Sequence, residues 1–315
     1  MAASVCCQLS SRKESLIGVN KSDTLGPMNE SRLRIWKKIG CFYGLTMIFS
    51  GVFDAFVIHA GKMDVGGLIY VTGSMWSPAL AAFATKRMFS ESIRELPWRW
   101  GNARNAWLGY LIPIAYALPV YLIVWTTGLG SFNRSILPKI TNDFGWSNLP
   151  ANLTLVLFVL LTATLGMVGK TSRALGEEIG WRGFLVPELS KVVGFAGVGL
   201  ISGLMWAAYH FPVLLLADYN AGTPPWYGLT CFTVMVVADS FILAWLTLRS
   251  RSLWPAAILH GSHNLFIQSI FTPLTQDTGS TKYIIDEFGI GLVLTITIGA
   301  IVVWRKRSEA YAKAQ

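Results

Sequence analysis

The chain has 315 residues, of which 53% are hydrophobic, only 14% are charged and 13 are tryptophan. Soluble domains carry about a quarter charged residues. This composition, with a mean hydropathy of +0.48, therefore excludes an ordinary soluble protein and predicts an all-α polytopic membrane protein. The net charge of +9 does not indicate nucleic-acid binding, because the basic residues lie between apolar segments, where they orient the chain and contact anionic lipid head groups.

Eight apolar segments follow one another along the chain, each close to the roughly 20 residues that cross about 30 Å of hydrocarbon. They predict about eight transmembrane helices in one membrane-embedded domain over residues 36–304, with an active site between the helices. A polar tail over 1–35 and a basic tail over 305–315 flank this domain, and Met28 is an alternative start to Met1. The predicted spans are 40–60, 65–85, 106–127, 152–172, 194–217, 226–248, 253–272 and 288–304.

The basic residues predict the orientation of these spans. If the N-terminus is cytoplasmic and eight spans alternate, 22 of the 26 Lys and Arg residues fall on the cytoplasmic side. Cytoplasmic loops carry such an excess in membrane proteins. We therefore expect an integral protein of a bacterial plasma membrane with both termini in the cytoplasm. The four basic residues left on the other side are Lys62, Arg134, Lys139 and Lys282.

Two features of the sequence argue against other sites and other classes. The four cysteines show no paired metal-binding spacing, so a disulfide framework or a cysteine-bound zinc is not expected. No internal repeat is evident, and many transporters are built from repeats that carry broken helices at the site. This weakens a transporter as an interpretation.

Charged side chains interrupt the apolar sequence between Ala174 and Arg182, which reads Ala-Leu-Gly-Glu-Glu-Ile-Gly-Trp-Arg. A charge at the centre of a bilayer costs roughly 2.5–3.5 kcal/mol, so such residues are candidates for function. Arg182 follows Glu178 by one helical turn and can pair with it. Glu177 points about 100° away and is left as the freer base. The structural alternative is that the glutamates only cap a cytoplasmic loop.

Three of the four histidines lie in two other apolar segments. His210 follows Trp206 by one turn in the fifth span, where a lone histidine is more often a core residue than a catalyst. His260 and Asn264 are spaced i and i+4 and share one face of the seventh span, with His263 close to that face. Hydrogen bonding between helices is the structural alternative for this second group.

Together these segments bring a carboxylate and two imidazoles from three helices toward one site. Glu177 could act as a general base on water with His210 orienting it or sharing the proton, while His260 and Asn264 hydrogen-bond a developing oxyanion. Glu177, His210 and His260 also match a two-histidine, one-glutamate shell for a divalent metal such as zinc with an open water position. The sequence leaves both mechanisms open.

The same residues resemble the three motifs of the CPBP family, also called Abi or type II CAAX prenyl endopeptidase-like intramembrane proteases. The motifs are Glu-Glu-x-x-x-Arg from Glu177, aromatic-x-x-x-His ending at His210, and His-x-x-x-Asn from His260, within residues 150–272. Trp206 stands where the family usually has Phe. The resemblance implies a multi-helix membrane protease whose site opens within the bilayer toward the cytoplasm.

The resemblance also implies roles for the individual residues. Glu177 and His210 would activate water, and His260 and Asn264 would form the oxyanion hole, with Glu178 and Arg182 in support. The expected substrate is a membrane-associated protein or peptide, including a prenylated CAAX type, and the metallo and metal-free mechanisms both remain open. The alternatives are a non-catalytic immunity or scaffold protein of the same fold and a proton-coupled transporter.

The depth of the predicted residues sets one structural condition. His210 lies 16 residues, or about 24 Å, into its span, whereas Glu177 follows the end of the fourth span. These residues can meet only if the fourth helix continues past the glutamates or if the fifth begins later.

Overall fold

The computed structural model describes residues 30–60, 67–146, 148–217 and 219–311. Helices occupy all eight segments predicted to span the membrane. Among the described residues, five helices are long and apolar enough to cross a bilayer by length and composition, and the helix Ile290–Arg305 is a shorter apolar one. The protein is thus an all-α polytopic membrane protein, as its composition predicts.

The helices extend beyond several of the predicted spans. The first begins at Glu30, so the last residues of the predicted polar tail are helical; Cys6, Cys7 and Met28 lie outside the described residues. The helices are α1 Glu30–Ala60, α2 Gly67–Met88, α3 Ala103–Thr127, α4 Leu137–Phe144, α5 Ala151–Leu161, α6 Met167–Glu178, α7 Val186–Ser190, α8 Phe195–Leu216, α9 Pro225–Ser250, α10 Trp254–Leu265 and α11 Ile290–Arg305.

Short elements join or extend these helices. Two-residue strands, β1 and β2, pair antiparallel on the loops that follow α3 and α10. Three segments are π-helical and four are single 3-10 turns. The strands are β1 Ser131–Phe132 and β2 Thr275–Gln276; the π-helical segments are Thr162–Gly166, Ile179–Leu185 and Phe266–Phe271; the 3-10 turns are Ile93–Glu95, Arg134–Ile136, Thr281–Tyr283 and Arg307–Ala310.

Helices α5, α6 and α7 form one helical run with the π-helical segments between them. The run covers 40 residues, Ala151–Ser190, and at 1.5 Å per residue it is about 60 Å long, twice the thickness of the hydrocarbon layer. Its first half exposes apolar side chains such as Leu165 and Val168, whereas most residues from Gly176 to Leu189 are buried in the protein. The fourth span therefore does continue past the glutamates and carries them into the interior.

Close helix contacts fix this run in the bundle. A Cβ atom on Gly176 would lie 2.7 Å from the carbonyl oxygen of Met75, and one on Gly180 would lie 2.5 Å from Cβ of Pro78, both on α2. Small residues four apart allow helix backbones to approach in this way. Helix α10 packs against α3, α6 and α9 and so lies beside the glutamates.

We call the two ends of the bundle the basic end and the opposite end. The basic end holds the starts of α1 and α3, the ends of α2, α9 and α11, the residues 306–311, and the loops 89–102, 191–194 and 251–253. An ion-pair network connects several of these elements. Lys38 bridges Glu91 and Glu188, each at 2.8 Å, and Lys86 contacts Glu91 at 3.0 Å and Glu95 at 2.8 Å.

The opposite end holds the end of α1, the start of α2 and the loops 128–150, 219–224 and 272–289. Of the described Lys and Arg residues, 15 lie at the basic end and three at the opposite end. The count of basic residues predicted a cytoplasmic position for Lys170, Arg173 and Arg182. This prediction is wrong, because all three lie inside the bundle.

Candidate active site

A cavity of about 420 Å³ lies between α1, α2, α6, α8, α9 and α10. Its lining includes all four residues predicted to act on a substrate: Glu177, His210, His260 and Asn264. They come from three helices that are separate in sequence. The structure thus brings the three predicted motifs to one cavity, where each side chain has a different set of contacts.

Glu177 faces the cavity and is held by one hydrogen bond. Its Oε2 accepts from Nε1 of Trp206 at 2.6 Å, and the residue is only 2% exposed. Glu178, the next residue along α6, does not line the cavity. Adjacent helical residues point about 100° apart, which places one carboxylate at the site and the other in the packed interior.

Glu178 and Arg182 form the predicted pair, and both are completely buried. Oε1 of Glu178 accepts from Nη1 of Arg182 at 2.8 Å and from Nδ1 of His260 at 2.9 Å. The guanidinium also donates through Nη2 to Oγ of Ser240 at 3.3 Å and lies 4.0 Å from the ring centroid of Trp206. This cluster connects α6, α8, α9 and α10 beneath the cavity and orients His260.

His210 contacts the backbone of its own helix. Its Nδ1 lies 2.9 Å from the carbonyl oxygen of Trp206, which can only accept, so Nδ1 carries the proton in this arrangement. The unprotonated Nε2 is then available as a proton acceptor. The ring packs against Tyr209 and Phe232 at centroid distances of 4.7 and 5.1 Å.

His260 and Asn264 lie one turn apart on α10. Nδ1 of His260 donates to the Glu178 carboxylate, so its Nε2 can donate to a ligand only when the imidazole is protonated. Asn264 lines the cavity, and its side chain has no hydrogen-bond partner within the part of the chain that the structure describes. Its amide is therefore free to donate to a ligand.

His263 belongs to a second polar cluster at the side of the cavity. Its Nδ1 lies 2.6 Å from the hydroxyl of Tyr116, and its Nε2 lies 3.1 Å from Oε1 of Glu287. Glu287 also accepts from the Tyr219 hydroxyl at 2.6 Å and from Nε2 of Gln268 at 2.9 Å. His263 thus stabilises the loop before α11. It also lines the cavity, but its hydrogen bonds are to Tyr116 and Glu287 and not to the motif residues.

The two acids of that loop titrate differently. Burial raises the pKa of Asp286 to about 6, and the neighbouring charge of Glu287 acts in the same direction. Burial would also raise the pKa of Glu287, but hydrogen bonds from His263, Tyr219 and Gln268 outweigh it and lower the pKa to about 2. One carboxylate is therefore firmly ionised while its neighbour titrates near neutral pH.

The cavity contains charged residues that the motifs do not include. Lys170 and Arg173 precede Glu177 by seven and four residues, so all three lie on one face of α6. Neither cation has a carboxylate within 4 Å among the described residues. Asp54, which accepts from Ser74 at 2.8 Å, and Asp239 also line the cavity. The helical spacing of Lys170 and Arg173 to Glu177 was the sequence signal that could have identified them.

The predicted metal shell is not formed by these residues. Among the described residues, no group of three or more His, Cys, Asp or Glu side chains is arranged to hold a metal ion. Glu177 is bonded to Trp206, and His260 directs one nitrogen to Glu178. The arrangement of these residues therefore does not fit a three-ligand zinc site.

Comparison with known proteins agrees with this geometry. The family model described as type II CAAX prenyl endopeptidase Rce1-like matches residues 150–266. Residues 150–266 form an Rce1-like domain. This confirms the resemblance to the CPBP family, and the matched range contains Glu177, His210 and His260 and coincides with the predicted core at 150–272.

A curated relative supports the same assignment. The chain is 30% identical over 159 residues to a protein of Methanococcus maripaludis named CAAX prenyl protease 2; the match covers 48% of this chain and 50% of the relative. The chain thus spans about half the length of the curated relative that it matches. The two similarities support a protease-like enzyme at the level of the family.

Proposed function

We propose that this protein is an intramembrane endopeptidase that hydrolyses a peptide bond in a membrane-associated protein or peptide. The observation that carries the proposal is the meeting of Glu177, His210, His260 and Asn264 at one cavity between the helices. The Rce1-like domain and the relative named a CAAX prenyl protease support the reaction class. A prenylated CAAX-type chain is accordingly one candidate substrate.

In the proposed reaction, Glu177 removes a proton from water while the water oxygen attacks the scissile carbonyl carbon. The hydrogen bond from Trp206 fixes the carboxylate, and Nε2 of His210 accepts a hydrogen bond from the same water, which orients it. The carbonyl π bond breaks and leaves the negative charge on oxygen. Glu177 then returns the proton to the amide nitrogen as the carbon–nitrogen bond breaks, which gives a carboxylic acid and an amine.

The charge on the carbonyl oxygen needs hydrogen-bond donors that are already in place. Asn264 offers its free amide, and His260 offers Nε2–H when its imidazole is protonated. The carboxylate of Glu178 stabilises that protonated form through Nδ1 at 2.9 Å. Glu178 and Arg182 therefore act through His260 and are positioning residues in this mechanism.

A proton-coupled transporter is the second candidate, because four further acids share the cavity with the motif residues: Asp54, Asp239, Asp286 and Glu287. Transport requires access from both sides of the membrane in turn. The fully buried Trp181, Arg182 and Phe184 close the bundle between the cavity and the basic end. Many transporters are built from repeats with broken helices at the site, and no internal repeat is evident in this sequence, which favours hydrolysis over transport.

The test is cleavage by the purified protein of quenched prenyl-peptides and of a library of membrane peptides. We expect cleavage by the wild-type protein and a loss of at least about 100-fold in Glu177→Ala and His260→Ala. Glu309→Ala, at the far end of the chain, is the control. Cleavage that survives both site substitutions would contradict the proposal, and a folded protein that cleaves nothing would favour a scaffold or immunity role. Metal analysis of the same sample separates the metallo and metal-free mechanisms.

A further inference from the structure

Two cations line the cavity on the same face of α6 as Glu177. Arg173 precedes the glutamate by four residues and Lys170 precedes it by seven. At 1.5 Å per residue, they lie about 6 Å and 10.5 Å from it along the helix axis. The face therefore presents the proposed base and, one and two turns away from it, two positive charges.

Packing against α10 keeps the two cations beside the other motif residues. A Cβ atom on Gly261 would lie 2.9 Å from Cα of Thr171, so the backbones of α6 and α10 touch between Lys170 and Arg173. Nζ of Lys170 lies 3.4 Å from Oε1 of Gln268, which also lines the cavity. The cationic part of the cavity therefore lies beside α10, which supplies the predicted oxyanion hole.

The protein supplies no close counter-charge for these cations. Both side chains are half-buried, and within the described residues no carboxylate lies within 4 Å of either one. The side chain of Arg173 has no hydrogen bond there either. Glu287, an acid of the same cavity, is already held by hydrogen bonds from three other side chains. Because an uncompensated charge inside a membrane protein is costly, such residues are candidates for binding a ligand.

We propose that Lys170 and Arg173 form an anion-binding subsite that takes a carboxylate of the substrate two or three residues from the cleaved bond. This rests on the proposed function, which places the cleaved bond at Glu177. A guanidinium binds a carboxylate through two parallel hydrogen bonds, and an ammonium adds a compact charge. An extended peptide advances about 3.3–3.6 Å per residue, so two or three residues cover the distance from Glu177 to the cations.

The carboxylate has two possible sources in a peptide. One is the free C-terminus of a chain that is cleaved two or three residues from its end, and the other is an aspartate or glutamate side chain at that distance. Both offer the same two oxygens to the subsite. The position of the preferred carboxylate therefore identifies the kind of segment that the enzyme cleaves.

Cleavage of matched peptides tests the subsite. One peptide has three residues after the cleaved bond and ends in a free carboxylate, and a second ends in an amide. Two further amides carry aspartate three residues before or after the bond, and products are quantified by mass spectrometry. We expect at least one carboxylate peptide to be cleaved with a kcat/KM at least about tenfold higher than that of the neutral amide. Equal cleavage of all four would overturn the proposal.

Substitution of the cations separates recognition from a structural role. The double variant Lys170→Gln and Arg173→Gln should reduce cleavage of the preferred peptide at least about tenfold more than cleavage of the neutral amide. Arg173→Glu should favour a peptide with lysine at the position of the carboxylate. Arg104→Gln, at the exposed start of α3, is the control and should keep the wild-type preference. An equal reduction for all peptides in the double variant would overturn the proposal.

Binding of a short peptide distinguishes failure of the subsite from failure of the proposed function. An N-acetylated Leu-Leu-Ala tripeptide with a free carboxylate and its amide are titrated into the purified protein by isothermal calorimetry. We expect the acid to bind at least about tenfold more tightly than the amide in the wild type, and both to bind equally in the double variant. If no peptide is cleaved but this difference is seen, the proposed function fails and the subsite stands. Equal binding of the two tripeptides by the wild type, or no binding, would overturn the subsite.

Discussion

Trp206 contacts four other residues of the candidate site. Its indole N–H donates to Glu177, the guanidinium of Arg182 lies on its ring face, and its carbonyl oxygen contacts His210. Its ring centroid is 5.3 Å from that of His260. The phenylalanine usual in the family at this position would keep the ring contacts but would lack the N–H donor. The tryptophan thus gives this chain one more hydrogen bond to the proposed base.

Substitution of Trp206 measures the value of that hydrogen bond. A hydrogen bond to a charged group contributes about 1.5–3 kcal/mol, so we expect Trp206→Phe to lower kcat/KM for peptide cleavage by roughly tenfold or more. Trp226, which is 71% exposed, provides the control Trp226→Phe, which should cleave at the wild-type rate. A Trp206→Phe variant that also cleaves at the wild-type rate would show that Glu177 does not need this donor.

Glu178 affects stability as well as the orientation of His260. Glu178→Gln removes the charge that compensates the buried guanidinium of Arg182. Loss of one partner of a buried ion pair costs about 3–5 kcal/mol, so thermal unfolding in detergent should shift to clearly lower temperature. Glu177→Gln, which breaks no ion pair, is the matched control and should unfold close to the wild type. An unchanged unfolding temperature in Glu178→Gln would contradict the supporting role.

Asp286 predicts a dependence of stability on pH. Its pKa of about 6 in the folded protein lies above its ordinary value of 3.8, so between about pH 4 and pH 6 the folded state binds more protons than the unfolded state. The free energy of unfolding should therefore fall as the pH rises through this window. Asp286→Asn should flatten the profile, measured by thermal unfolding across pH. Asp143→Asn, which removes an exposed carboxylate on α4, is the control and should keep the wild-type slope. A wild-type slope in Asp286→Asn would refute the assignment.

At the scale of the elements, the position of Glu177 depends on how closely the helical run Ala151–Ser190 approaches α2. Gly176 and Gly180 flank the two glutamates and contact the backbone of α2 around Met75 and Pro78. The π-helical segment that begins at Ile179 follows directly. π-Helical turns within α-helices are frequent at functional sites. The carboxylate is therefore held by backbone packing as well as by Trp206.

A small increase in volume tests this packing. Gly180→Ala places a methyl group against the backbone of Pro78, and overpacking typically costs about 1–3 kcal/mol. We expect a lower unfolding temperature together with reduced cleavage. Gly169→Ala is the matched control: Gly169 lies on α6, earlier in the same helical run, and a Cβ atom there has no other atom within 4 Å. Equal effects of the two substitutions would show that the contact with α2 does not matter.

Hydropathy predicted the existence of all eight helices because each must cover about the same thickness of lipid. It did not predict the 40-residue run, since the second half of that run is covered by protein and needs no apolar stripe toward lipid. For the same reason, the count of basic residues places Lys170 and Arg173 on the cytoplasmic surface, whereas they line the cavity. The helical spacing of Glu178 and Arg182 was sufficient to predict their pair, whereas the contacts of Trp206 and the second cluster of His263 depend on helix packing that one sequence does not reveal.

At the scale of the whole molecule, the basic end connects three elements that are distant in sequence. Lys38 is 4% exposed and holds α1 to the loop after α2 and to α7 through Glu91 and Glu188. Lys38→Met leaves Oε2 of Glu188 without this partner. We expect a lower unfolding temperature, while Lys37→Met should unfold like the wild type. Equal unfolding of the two variants would show that the network does not stabilise the bundle.

The packed side chains between the cavity and the basic end have a consequence for the ion gradient across the membrane. A cavity of about 420 Å³ lined by charged side chains would conduct ions if it continued through the whole bundle. The buried segment Ile179–Leu185 and the ion pair of Lys38 with Glu91 lie between the cavity and the basic end, and they block such a path. Liposomes that contain the protein should hold a pH gradient as long as empty liposomes do, which can be measured with an entrapped pH-sensitive dye. In the proposed hydrolysis, water would thus reach the peptide bond without a path for ions across the membrane.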